Sequence, residues 1–172
     1  MRKMIIAMLL VGGIIMSSEA VVVQNAELLA INMIAKFEGF SPVPYTCPGG
    51  HLTIGYGFAD PEIVAKGKIT RKEADRILGK LVRADLAFIQ KKVPGLNVRQ
   101  QAAVCSFIHN FGRQGFLDST YCKRLREGNF AAAKTELMKW VHVKKWNKEK
   151  KLYETVVAPG LVTRREYESR YL

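Results

Sequence analysis

The stretch from Asn97 to Gly112 most constrains what this chain can fold into. Wound as a helix, Ala102, Ala103, Val104, Phe107 and Ile108 leave almost no polar side, and Asn97-x-x-Gln100 ahead of them has the form of a capping box. A helix that is apolar nearly all round has to be enclosed by other elements. The rest of the chain is therefore expected to wrap around this segment.

The wrapping elements are mostly helical. From Asn25 to Phe40, Leu28, Leu29, Ile31, Ile34, Ala35 and Phe37 fall at helical spacing, with Gly39 as the stop. Thr70-x-x-Glu73 opens a second helix with the stripe Ala74, Ile77, Leu78, Leu81, Val82, Leu86 and Ile89, ended by Pro94-Gly95. Shorter helices are expected near Ser119 to Glu127, closed by Gly128, from Asn129 to about Trp140, and after Pro159-Gly160 to Leu172. Only Tyr45 to Gly57 differs in character. Prolines at 42, 44 and 48, a Gly49-Gly50 turn and the extended Thr53-Ile54-Gly55-Tyr56-Gly57 read as a small β-hairpin. The expected fold class is α+β, mainly helical, with no linker dividing it.

Composition matters through charge. Against 15 Asp and Glu the chain carries 27 Lys and Arg, a net charge of +12. Such a surplus calls for an anionic partner: nucleic acid, a membrane face or an acidic polymer such as a bacterial wall. A hydrophobic content of 48% excludes disorder, and three cysteines cannot make a disulfide scaffold.

Arg2 and Lys3 precede an apolar run from Met4 to Met16 and then Ser17-Ser18-Glu19-Ala20, the layout of an export signal cleaved before Val21. Joined to Val21-Val22-Val23, the run from Met4 to Val23 reads instead as a marginal membrane span, weakened by Gly12, Gly13, Ser17, Ser18 and Glu19. A span of that kind could enter a membrane and later leave it intact. Either reading places the remainder outside the cytoplasm, periplasmic or secreted. The expected division is 1–23 as export signal or releasable anchor and 24–172 as one domain.

Glu38 lies four residues after Ile34 and seven after Ile31, so it projects from the apolar stripe of its helix. Desolvation favours the protonated form of a carboxyl, which is what a general acid requires. Cys47 and Thr53 follow, folded together by the Gly-rich turn. The series Glu38-Gly39-Phe40, Tyr45-Thr46-Cys47 and Thr53-Ile54-Gly55-Tyr56-Gly57 closely resembles the active-site signature of the phage-type lysozymes, which space Glu, then Asp or Cys, then Thr in this way. Ser106-Phe107-Ile108-His109-Asn110-Phe111-Gly112, Ser119-Thr120, Trp140 and Gly160-Leu161-Val162-Thr163-Arg164-Arg165-x-x-Glu168 continue the resemblance in order, over nearly everything after residue 27.

The resemblance implies a lysozyme-like fold with a hairpin lobe and a helical lobe, and hydrolysis of the β-1,4 bond between N-acetylmuramic acid and N-acetylglucosamine. Glu38 would be the general acid. Cys47 and Thr53 would position or activate a water on the opposite sugar face, giving inversion. The Cys47 thiol could serve as thiolate base, as water positioner or as covalent nucleophile. Arg164 or its neighbour Arg165 resembles the arginine that orients the catalytic Glu, with Arg164 preferred, and Asn110 and Tyr56 are expected at the substrate side. Phe58 departs from the polar residue usual in the family, and Val141 to Pro159 is longer than the family pattern.

No cofactor is implied, and His51, His109 and His142 have no ligand spacing for a metal. Cys105 and Cys122 could pair or remain buried thiols. Lysines 139, 144, 145, 148, 150 and 151, interleaved with Trp140 and Trp146, read as a solvated basic face or as attraction to an anionic envelope, and no nucleic-acid motif accompanies them. The expected partner is the peptidoglycan glycan strand, met by a monomer, with transient inner-membrane association through residues 4–23. The rival functions are a lytic transglycosylase and a non-catalytic cationic protein that disrupts membranes or binds walls.

Overall fold

The computed structural model describes residues 8–11, 14–47, 50–147 and 150–172. Strands β1 (Met8–Val11) and β2 (Ile14–Ser17) precede the helix α1 (Ser18–Glu38) and the hairpin β3 (Ser41–Thr46) and β4 (Leu52–Gly55). Helices α2 (Pro61–Val64), α3 (Arg71–Lys92), α4 (Val98–Leu117), α5 (Thr120–Arg126) and α6 (Phe130–Leu137) follow. Strands β5 (His142–Asn147) and β6 (Leu152–Val157) and helix α7 (Pro159–Ser169) complete the order. The architecture is the expected mainly helical α+β, with three two-stranded antiparallel hairpins among the described residues rather than one.

Helix α4 lies at the centre, as its lack of a polar side demands. Ala102, Ala103, Val104, Cys105, Phe107 and Ile108 are buried, enclosed by Ala26, Ala30 and Ile34 of α1 and by Leu78, Val82, Leu86 and Ile89 of α3. Each fully buried aliphatic side chain contributes about 1.5–3 kcal/mol. Phe107 anchors an aromatic cluster, with the rings of Phe111, Tyr121 and Trp140 each 5.2 Å away. Gly112, expected as a helix stop, is instead a break (φ 79°, ψ 161°) after which the helix resumes to Leu117.

The β3–β4 pairing is interrupted between Ser41 and Tyr45, where Pro42 and Pro44 cannot donate to the ladder. Of the expected Gly49-Gly50 turn, Gly49 lies outside the described residues, as do the basic Arg2 and Lys3 and part of the apolar run after them. Helix α1 begins at Ser18, earlier than the expected Asn25, and among the described residues no helix is long and apolar enough to cross a membrane. The segment after Trp140, expected only as a basic stretch, forms the β5–β6 hairpin.

Candidate active site

Helix α1 delivers Glu38 at its last position, and Gly39 (φ 65°) turns the chain at once into β3. The Glu38 carboxyl is about one-fifth exposed, and three elements converge on it. Arg164 of α7 donates from Nη1 to Glu38 Oε1 at 2.6 Å. His109 of α4 brings Nε2 to 3.9 Å from the same oxygen, too far for a hydrogen bond. Gly57, just beyond β4, adopts φ 78° and lies so close that a Cβ there would stand 2.9 Å from Glu38 Oε2.

Arg164 is fixed from every side. Its Nη2 donates to the Ser106 carbonyl at 3.0 Å and to the Ser106 hydroxyl at 3.2 Å, and its Nε donates to Glu168 Oε1 at 3.2 Å. The Ser106 hydroxyl in turn donates to Glu168 Oε1 at 2.6 Å. Arg165, one residue on, does not reach Glu38. It donates from Nη2 to Glu168 Oε1 at 3.1 Å and to Asn110 Oδ1 at 3.2 Å, and lies over the Phe107 and Phe111 rings. Glu168 is fully buried between the two guanidinium groups. Burial pushes its carboxyl upward, against the pull of Arg165, Arg164 and the Ser106 hydroxyl. Burial also lowers Arg165 to about 10, with Glu168 opposing. Two buried guanidinium groups thus share the one buried carboxyl of Glu168, and Arg164 reaches past it to Glu38 at the mouth.

His109 Nε2 meets the Tyr56 carbonyl at 3.1 Å, and because a carbonyl only accepts, Nε2 carries the hydrogen. Burial holds the His109 imidazole below its ordinary range; nearby Glu38 pulls it up and Arg164 pushes it further down. Tyr56 itself is buried. Its hydroxyl donates to Asp75 Oδ1 at 2.7 Å and accepts from Arg71 Nη1 at 3.2 Å, and its ring packs between Phe40 and Phe58. Phe58 is a core residue here, lying under Gly55.

The hairpin carries the other two candidates. Thr53 is buried, and its hydroxyl donates weakly to the Tyr45 carbonyl at 3.4 Å. Cys47 is a half-buried free thiol whose backbone closes the turn: its N–H donates to the His51 carbonyl at 2.9 Å, and Gly50 N–H donates to its carbonyl at 2.8 Å. Cys105 and Cys122 are free and buried. Among the described residues no three His, Cys, Asp or Glu side chains gather as metal ligands.

Sequence reading passed over Gly57, Ser106, His109 and Glu168 as site residues. Spacing held one signal for them, since Ser106, His109 and Asn110 share a face of α4 at i, i+3 and i+4, and Glu168 stands one turn from Arg164.

The phage lysozyme family model matches residues 35–168. An endolysin of Acyrthosiphon pisum secondary endosymbiont phage 1 is 33% identical over 138 residues, covering 79% of this chain and 89% of the relative. A SAR-endolysin of Enterobacteria phage PA-2 is 28% identical over 138 residues, 76% of this chain and 74% of its own. Among solved structures, the muramidase domain of SpmX from Asticaccaulis excentricus superposes with a TM-score of 0.70 at 26% identity, covering 83% of this chain and 92% of that one.

Proposed function

Because the chain belongs to the phage lysozyme family, we propose a division of labour in which Glu38 is the general acid and Cys47 with Thr53 holds the attacking water. The protein is a glycoside hydrolase of the lysozyme type, and its substrate is peptidoglycan. The observation that carries the assignment of Glu38 is its 2.6 Å hydrogen bond from Arg164, itself locked to Ser106 and Glu168. Arg164 occupies Oε1. Oε2 faces the space left by the missing side chain of Gly57 and is the oxygen that would carry a proton to the glycan.

In the reaction, Glu38 gives its proton to the oxygen linking N-acetylmuramic acid to N-acetylglucosamine as the bond from the anomeric carbon breaks. Water held by Cys47 and Thr53 attacks that carbon from the opposite face and loses its proton to solvent, and Glu38 regains one. One water is consumed and the configuration inverts, the pattern of enzymes whose two catalytic groups stand about 6.5–9.5 Å apart. Arg164 positions Glu38, and Asn110, whose Oδ1 accepts from Arg165, faces the substrate side with its amide nitrogen. Tyr56, with its hydroxyl committed to Asp75, supports the hairpin backbone beside Glu38.

The protein works as an exported monomer on glycan strands, periplasmic or secreted. Residues 1–23 serve as signal or releasable anchor and residues 4–23 touch the inner membrane in passing, a reading supported by the basic start, the apolar run and the likeness to a SAR-endolysin. An intact mass beginning at Val21 would decide for cleavage.

Hydrolysis of purified sacculi tests the assignment. Glu38→Gln should abolish release of reducing ends while Cys47→Asp largely keeps it. Full activity in Glu38→Gln, or anhydro ends in the wild-type products, overturns it.

A further inference from the structure

The β5–β6 ribbon has no part in the chemistry above, and its surface is unlike that of a structural hairpin. Its base is closed by Ala158 N–H donating to the Val141 carbonyl at 2.8 Å, and its strands pair in unbroken register from His142–Val157 to Asn147–Leu152. Trp146 stands opposite Tyr153, with ring centroids 5.1 Å apart and planes at 63°. Trp146 is 47% exposed, Tyr153 66%, Leu152 46% and Val157 54%. Strand alternation puts Trp146, Tyr153 and Val157 on one face and Leu152 on the other, so apolar groups meet water on both sides. A two-stranded ribbon is marginal in water by itself, and this one leaves its largest apolar groups uncovered.

The charge on the same segment has one sign. Between Lys139 and Ala158 the sequence holds six lysines against Glu149 and Glu154. Lys144 and Lys145 are both exposed and point to opposite faces, while Lys150 is paired with Glu154 at 2.8 Å. Tryptophan and tyrosine favour the boundary between water and hydrocarbon, where an apolar body and a polar tip are both satisfied. Lysines beside them bind an anionic headgroup layer.

We propose that the β5–β6 ribbon docks the enzyme on the surface of an anionic phospholipid bilayer. Trp146 and Tyr153 sit at headgroup depth, Leu152 enters the acyl boundary, and Lys144 and Lys145 lie against lipid phosphates. A glycan platform would present a flat aromatic face flanked by groups that accept hydrogen bonds from sugar hydroxyls. The rings here are steeply inclined, Lys144 and Thr155 follow them on the same face, and the adjacent Glu154 is engaged by Lys150. The proposal is independent of the catalytic roles assigned above.

The test uses the full chain and vesicles of phosphatidylethanolamine with phosphatidylglycerol, against vesicles of phosphatidylcholine. In a Trp140→Phe background Trp146 is the sole tryptophan. Its emission should shift to the blue on the anionic vesicles and be quenched by brominated phosphatidylglycerol. Co-sedimentation should weaken on the order of thirtyfold in Lys144→Gln/Lys145→Gln, and by tenfold or more in Trp146→Ser/Tyr153→Ser, with sacculus hydrolysis retained in both. Binding undiminished in these variants, as attachment through residues 4–23 would give, overturns the proposal. So does a Trp146 emission that ignores lipid and responds to chitooligosaccharide instead. The emission and quenching measurements leave the ribbon intact and decide the matter even if a ribbon variant fails to fold.

Discussion

Arg164 Nη1 donates to Glu38 Oε1 at 2.6 Å, across 126 residues of sequence. A single guanidinium holds the last residue of α1, the Ser106 carbonyl of α4 and Glu168 of its own helix. Lysine has neither the planar fork nor the reach to satisfy all three. Arg164→Lys should lower kcat about tenfold or more with little change in KM, and should cost about 1–3 kcal/mol of stability from unsatisfied buried acceptors. An unchanged kcat on sacculi would show that Arg164 does not position the acid.

Glu168 compensates two buried cations and reaches neither solvent nor substrate. Removing one member of a buried charge network while leaving the others costs about 3–5 kcal/mol. Glu168→Ala should therefore lower the denaturant midpoint more than any single surface substitution, whereas Arg83→Ala, which breaks the exposed pair with Glu27, should cost about 1 kcal/mol or less. Equal losses would refute the idea that Glu168 supports the site from within.

Gly57 combines a positive φ with a position where an added Cβ would stand 2.9 Å from Glu38 Oε2. Gly57→Ala adds backbone strain of about 1–2 kcal/mol and pushes Glu38 off its position. Activity should fall more steeply than stability. Gly67→Ala, at a similar φ with open space around it, serves as the control and should cost stability only.

His109 titrates below its ordinary 6.5 because it is buried and, in second place, because Arg164 is near, with Glu38 opposing. In the pH range just below 6.5 the unfolded chain binds a proton that the folded chain refuses, so stability rises with pH and is lost as the solution is acidified. Unfolding free energy measured from pH 7 to pH 5 should fall for the wild type and fall less for His109→Gln. Parallel curves would mean that His109 takes no part.

Burial raises Cys105 and Cys122 and withholds their thiolates, while Cys47 is only half-buried on the hairpin turn. A thiol reagent should modify one cysteine in the native protein and three after denaturation. Two or more fast-reacting thiols in the folded state would contradict this accessibility.

The elements most legible in the sequence were those whose local chemistry and burial agree. Asn97 and Gln100 form the full reciprocal capping box and α4 is buried as its composition demands. At Thr70 only half of the box forms: Thr70 accepts from Glu73 N–H, but the Glu73 carboxylate turns away to Lys66. The β5–β6 hairpin was not legible because lysine is a poor strand former, and its pairing rests on cross-strand partners such as Trp146 and Tyr153 that only the fold reveals. Glu38 stood out through its place on an apolar stripe, and Cys47 and Thr53 through the family resemblance. Glu168 did not, because a carboxylate in a helix reads as a wet residue until its two arginine partners are seen beside it.

The distance along the chain between Glu38 and Arg164 also orders events in time. A ribosome adding about 5–20 residues per second needs roughly 6–25 s to pass from one to the other. Throughout that interval the carboxyl exists without its guanidinium, and the helix that supplies it follows every other described element. A chain interrupted between the end of α4 and the start of α7 carries the acid, the hairpin and the central helix, yet lacks the clasp that joins them. Translation itself thus withholds a positioned acid until α7 has been made.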